Sequence, residues 1–116
     1  MTSIFKQLIS INTACSEIQR ALNDHFDKTS NKQYKIDIEK DVVTLENIKS
    51  VTIAVREDIE SDKIGSSTEL LLRIAANDFK DKLQMIPEGK AVGKDIMHSL
   101  KEIHREILQH TLKRKP

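Results

Sequence analysis

The 116 residues carry 38% apolar and 32% charged side chains but only 3% aromatics, which describes one domain whose modest core is Ile, Leu and Val. Nineteen Lys and Arg against eighteen Asp and Glu leave a net charge of +1, so bulk charge selects neither nucleic acid nor membrane. Cys15 is the single cysteine; it excludes a disulfide framework and a cysteine metal site, and with no secretory leader or long apolar run the expectation is a cytoplasmic protein without a membrane segment.

A first helix is expected from a Thr2 or Ser3 cap to about Asp27. Ile4, Leu8, Ile11, Cys15, Ile18, Leu22 and His25 recur at spacings of three and four, and Phe5, Ala14, Ala21 and Phe26 widen the stripe. That seam suits a helix packed on another helix. Asp27 to Gln33 is polar and reads as a loop.

From Tyr34 to Val55 the pattern changes. Val42, Val43, Thr44, Ile48, Val51, Thr52, Ile53 and Val55 are β-branched, and such side chains suit a pleated surface better than a helix. Tyr34, Ile36 and Ile38 alternate with charged residues, as Val51, Ile53 and Val55 alternate with Thr52, Ala54 and Arg56. This period of two predicts strands over 34–39, 42–46 and 50–56, hence an α+β fold with a three-stranded antiparallel meander. The competing reading is an all-helical bundle with 40–62 helical, but a single helix drawn over Val42–Ile59 scatters its apolar positions all round the wheel instead of forming a stripe.

Glu57 to Ser66 then reads as an acidic connector. Ser66-Ser-Thr-Glu69 has the form of a capping box, opening a helix from Ser67 to about Met85, with Pro87 and Gly89 closing it. A last helix opens at Ala91 or Val92, with Val92, Ile96, Leu100, Ile103, Ile107 and Leu108 on one side, and Lys113 to Pro116 reads as a frayed tail. Residues 87–116 hold seven basic and four acidic side chains. Lys90, Lys94, Lys101 and Arg105 can therefore follow phosphates, although a solvated helix with a basic last turn accounts for the same residues.

Candidate sites mostly fail on their own chemistry. Asp58, Glu60, Asp62 and Glu69 fall in an EF-hand register, but Lys63 stands where the loop needs Gly. Gly89 to Asp95 resembles a phosphate loop one residue short, with Asp95 in place of the hydroxyl, and reads as a hinge. His98, His104 and His110 are six residues apart, so neighbours diverge by about 120° and cannot share a metal; His98 with Glu102 makes an ordinary i, i+4 contact. Cys15 lies on the apolar seam. No nucleophile, base and orienting group assemble, and neither an enzyme nor a cofactor is expected.

A long helix, three strands, an acidic connector and a helix resembles the YbaB/EbfC nucleoid-associated family. Val51-Thr-Ile-Ala before Glu57-Asp-Ile-Glu-Ser-Asp looks like that family's third strand and acidic turn, and Ala75, Ala76, Asn77 and Asp78 stand where its second helix has Ala-Phe-Asn-Asp-Ala. The resemblance covers about residues 4–85, making 1–86 a YbaB-like domain and 87–116 an additional basic helix. It implies a nucleoid-located homodimer that binds duplex DNA through phosphates and acts in nucleoid organisation or gene expression. By position the contacts would be Lys6 and Arg20 on the first helix and Arg73, Lys80 and Lys82 on the second. The sequence departs from the family in Thr29-Ser30-Asn31, where glycines are usual, in the extra helix, and in its near-neutral charge. A protein–protein adaptor whose apolar seams receive a partner helix is the alternative.

Overall fold

The computed structural model describes residues 2–82 and 87–114, and the side chains of all of these except 2, 78–82, 87–89, 92 and 114. Four helices follow in order: α1 Thr2–Lys28, α2 Lys32–Glu60, α3 Ser66–Lys82 and α4 Pro87–Arg114. Among the described residues there is no strand. The expected α+β fold is thereby overturned, and the three segments 34–39, 42–46 and 50–56 are consecutive turns of α2. A dimer built on shared sheets has no sheet to share.

Two local features make α2 a helix. Asn31 is its N-cap, and the Asn31 side-chain oxygen accepts from the Tyr34 N–H at 2.9 Å, satisfying one of the first turn's orphan donors. The second is its buried stripe of Ile38, Asp41, Thr44, Leu45, Ile48, Val51, Thr52 and Val55, whose spacings of three, three and one trace one helical face. Three members are polar, which is why counting apolar residues alone scatters the pattern. Thr44 and Thr52 can be buried because their hydroxyls donate to the Lys40 and Lys49 carbonyls at 3.0 and 2.7 Å. The propensity penalty of a β-branched residue in a helix is only a few tenths of a kcal/mol, while burial of a Val or Ile stabilises by about 1.5–3 kcal/mol. Burial wins.

α2 ends in a Schellman arrangement. The Lys63 N–H donates to Asp58 O at 2.8 Å and the Asp62 N–H to Ile59 O at 3.2 Å, with Asp62 at φ 53° in the left-handed region. Glu57–Glu60 of the expected connector is therefore helix, and the joint is short. Thr68, only 1% exposed, clamps it: its hydroxyl donates to the Asp58 carboxylate at 2.7 Å and accepts from the Gly65 N–H at 3.3 Å. The expected capping box does not form, because the Glu69 carboxylate turns to His104. The Glu69 N–H instead donates to the Gly65 carbonyl.

α1 packs chiefly on α2 and α3 on α4, and α2–α3 and α1–α4 contacts join the two hairpins. One core runs through all four helices, from Ile4, Leu8, Ile11, Cys15 and Leu22 through Leu45, Ile48 and Leu72 to Ile96, Leu100, Ile103 and Ile107. α4 contributes Ile96, Met97, Leu100, Ile103 and Ile107 to this core, and the expected hinge at 89–95 lies inside α4 with Gly93 buried. The seams foreseen as open to a partner helix cover one another. A polar ladder zips α1 to α2: the Asn12 amide donates to Thr52 Oγ1 (3.2 Å), and Gln19 donates to Val42 O (3.1 Å) and Glu46 (2.9 Å) while accepting from Lys49 (3.2 Å). The molecule measures 58 × 21 × 18 Å. Its longest helix, 29 residues, spans about 44 Å, so the two hairpins are staggered along the long axis.

Candidate polyanion-binding face

α4 buries one face and leaves its opposite face charged. Ile96, Met97, Leu100, Ile103 and Ile107 are buried, whereas Lys90, Lys94, Lys101 and Arg105 are all exposed. At 100° per residue those four fall within an arc of about 60° and form a ridge about 22 Å long. None of them forms an ion pair among the described residues. Among the described side chains the nearby acids are engaged or displaced: Glu102 pairs with His98 at 3.2 Å, and Asp95 and Glu106 lie on the flank toward α1.

α3 adds to this face. His104 Nε2 lies 2.7 Å from Glu69 Oε1, with side chains 22% and 17% exposed. Because α3 and α4 are antiparallel, that contact places Arg73 at the level of Leu100 and Lys101. Arg73 is 56% exposed and 4.0 Å from Glu69, which His104 already holds. The bond from His104 is the main reason the Glu69 carboxyl sits below its ordinary range; partial burial opposes it and the Arg73 charge adds to it. Among the described residues the large apolar side chains Leu70, Ile74, Leu108 and Leu112 are also exposed on these two helices.

The remaining expected contacts separate from this ridge. Lys6 and Arg20 are exposed on the outer side of α1, about 21 Å apart along its axis, among the exposed acids Glu17, Asp24 and Asp27. Lys6 also lines a groove of about 590 Å³ between α1 and α4, floored by Ile11 and Ile96, with Asp95 on the α4 wall. Lys80 and Lys82 lie on α3, and their side chains are outside the described ones. The structure thus brings together Arg73, Lys90, Lys94, Lys101 and Arg105, and sets Lys6 and Arg20 apart.

The rest of the chain offers little chemistry. Among the described residues no group of His, Cys, Asp and Glu could hold a metal ion, and the Asp58 carboxylate of the rejected calcium register is taken up by Thr68. Cys15 is fully buried, and burial pushes its thiol up to about 12, the wrong direction for a nucleophile. No helix is long and apolar enough to cross a membrane among the described residues. Sequence reasoning missed the Glu69–His104 contact, which joins positions 35 apart and leaves no local pattern. No protein-family model, curated protein or solved structure matches the chain.

Proposed function

We propose that this chain is a non-enzymatic helical module that binds duplex DNA through phosphate contacts along the α4 ridge. The observation that supports the reading is the run of four exposed cations, Lys90, Lys94, Lys101 and Arg105, without ion-pair partners among the described residues, joined by Arg73 from α3. Cations in a row neutralise a phosphate backbone and release its counterions. The ridge carries no Phe, Tyr or Trp on which unpaired bases could stack, which favours a duplex over a single strand. Contacts of this kind position a protein without reading bases, so little sequence preference is expected. The similarity of 70–83 to the YbaB/EbfC second helix enters only through Arg73, because the sheet of that family has no counterpart here.

Five phosphate contacts predict a slope of log affinity against log salt near about −4.5. Anisotropy titration of a mixed-sequence duplex of about 20 bp, between roughly 50 and 200 mM salt, measures it directly. Absence of binding at the lowest salt, or a flat salt response, removes the reading. A protein adaptor is the second reading, supported by Leu70, Ile74, Leu108 and Leu112 beside the same cations, a mixture suited to an acidic amphipathic helix. Recovery of one stoichiometric partner, unaffected by nuclease, favours it.

A further inference from the structure

The ridge has a gap, and a histidine fills it. Between Lys94 and Lys101 the cations skip about two turns, and His98 lies in that interval, about 40° round the helix from Lys94. Its side chain is 76% exposed, and Nε2 is 3.2 Å from Glu102 Oε1. A carboxylate accepts only, so the neutral imidazole carries its proton on Nε2 and leaves the other ring nitrogen as a bare lone pair. In that state His98 repels a phosphate oxygen. Protonation turns the second nitrogen into a donor and adds a charge, so that Lys90, Lys94, His98, Lys101 and Arg105 become one unbroken line of cations.

We propose that His98 is a proton-gated phosphate contact on the α4 ridge, with Glu102 holding its first nitrogen. The inference rests on the DNA-binding reading above. Around His98 on α4 stand Lys94, Asp95, Lys101 and Glu102; α1 brings Lys6 to the Asp95 flank, and α3 brings Glu69 and Arg73 to the opposite flank, where His104 is occupied. His98 is therefore the histidine of α4 that the ridge itself presents. Because protonation adds the contact, duplex affinity should rise as the pH falls.

The test is anisotropy titration of the full chain with the same duplex at about pH 6 and pH 8, across the same salt range, using wild type, His98→Gln and His98→Lys. One added contact steepens the wild-type salt slope at the lower pH by about 0.9. His98→Gln should keep the weaker, shallower binding at both pH values, and His98→Lys the steeper binding at both. A wild type whose slope ignores pH, or a His98→Gln that keeps the wild-type pH response, overturns the inference while leaving DNA binding standing. No binding by any variant at either pH overturns the DNA reading and this inference with it.

Discussion

The Glu69 carboxylate sits where α3 meets α4, and its ionisation ties folding to pH. Its folded pKa lies below the ordinary 4.5 because His104 donates to it. A depressed carboxyl contributes stability that is present above the unfolded value and is lost as pH falls through the folded one. Glu69→Gln should therefore be less stable than wild type at neutral pH, and the gap should close as the pH drops below about 4.5. Urea melts of both proteins across that range check this; a gap that stays constant into acid would show that the ion carries none of it. The sequence singles out both partners of this contact for other tasks, Glu69 for a capping box that Ser-Ser-Thr-Glu suits equally well and His104 for a metal set that fails on spacing. What decides is the long-range packing that delivers His104, and no short motif encodes that.

At the scale of the element, α2 is the instructive case. Val43 and Leu45 are two apart, so a strand over 42–46 would put both on one face. A helix turns them about 200° apart. Val43 is 59% exposed and Leu45 is fully buried. Leu45→Ala should cost about 2–5 kcal/mol. Val43→Ala should change stability by under about 0.5 kcal/mol, because the helix propensity gained offsets the little burial lost. Chemical denaturation of the two variants separates the alternatives, for equal large losses would restore the strand. The heptad seam of α1 and the apolar side of α4 were legible because apolar residues occupy nearly every buried position. In α2 the buried stripe includes Asp41, Thr44 and Thr52, and Val43 and Ile53 stand outside it. Hydrophobicity and burial part company there, and the β-branched composition then supplies a false period of two.

For the whole molecule, near-neutral net charge conceals a segregated surface. Residues 34–66 carry five basic and eight acidic side chains, against the basic excess of 87–116, and this division was readable from the start. Its meaning was not, because only the bundle decides which lysines share a side. A duplex approaching the α4 ridge meets Arg73, Lys90, Lys94, Lys101 and Arg105; one approaching the outer side of α1 meets Lys6 and Arg20 among acids. The two surfaces thus divide the candidate residues between them. Lys94→Glu combined with Lys101→Glu removes two contacts, which should flatten the salt slope by about 1.8 and, through added repulsion, weaken binding by more than tenfold at low salt. Lys6→Glu combined with Arg20→Glu makes the same change in net charge and should alter affinity less than threefold, a limit set by long-range attraction screened within about 10 Å. Anisotropy on the two double variants distinguishes a ridge from a diffuse charge effect. Equal weakening would mean that net charge alone draws the duplex, and that the alignment of the α4 cations has no part in holding it.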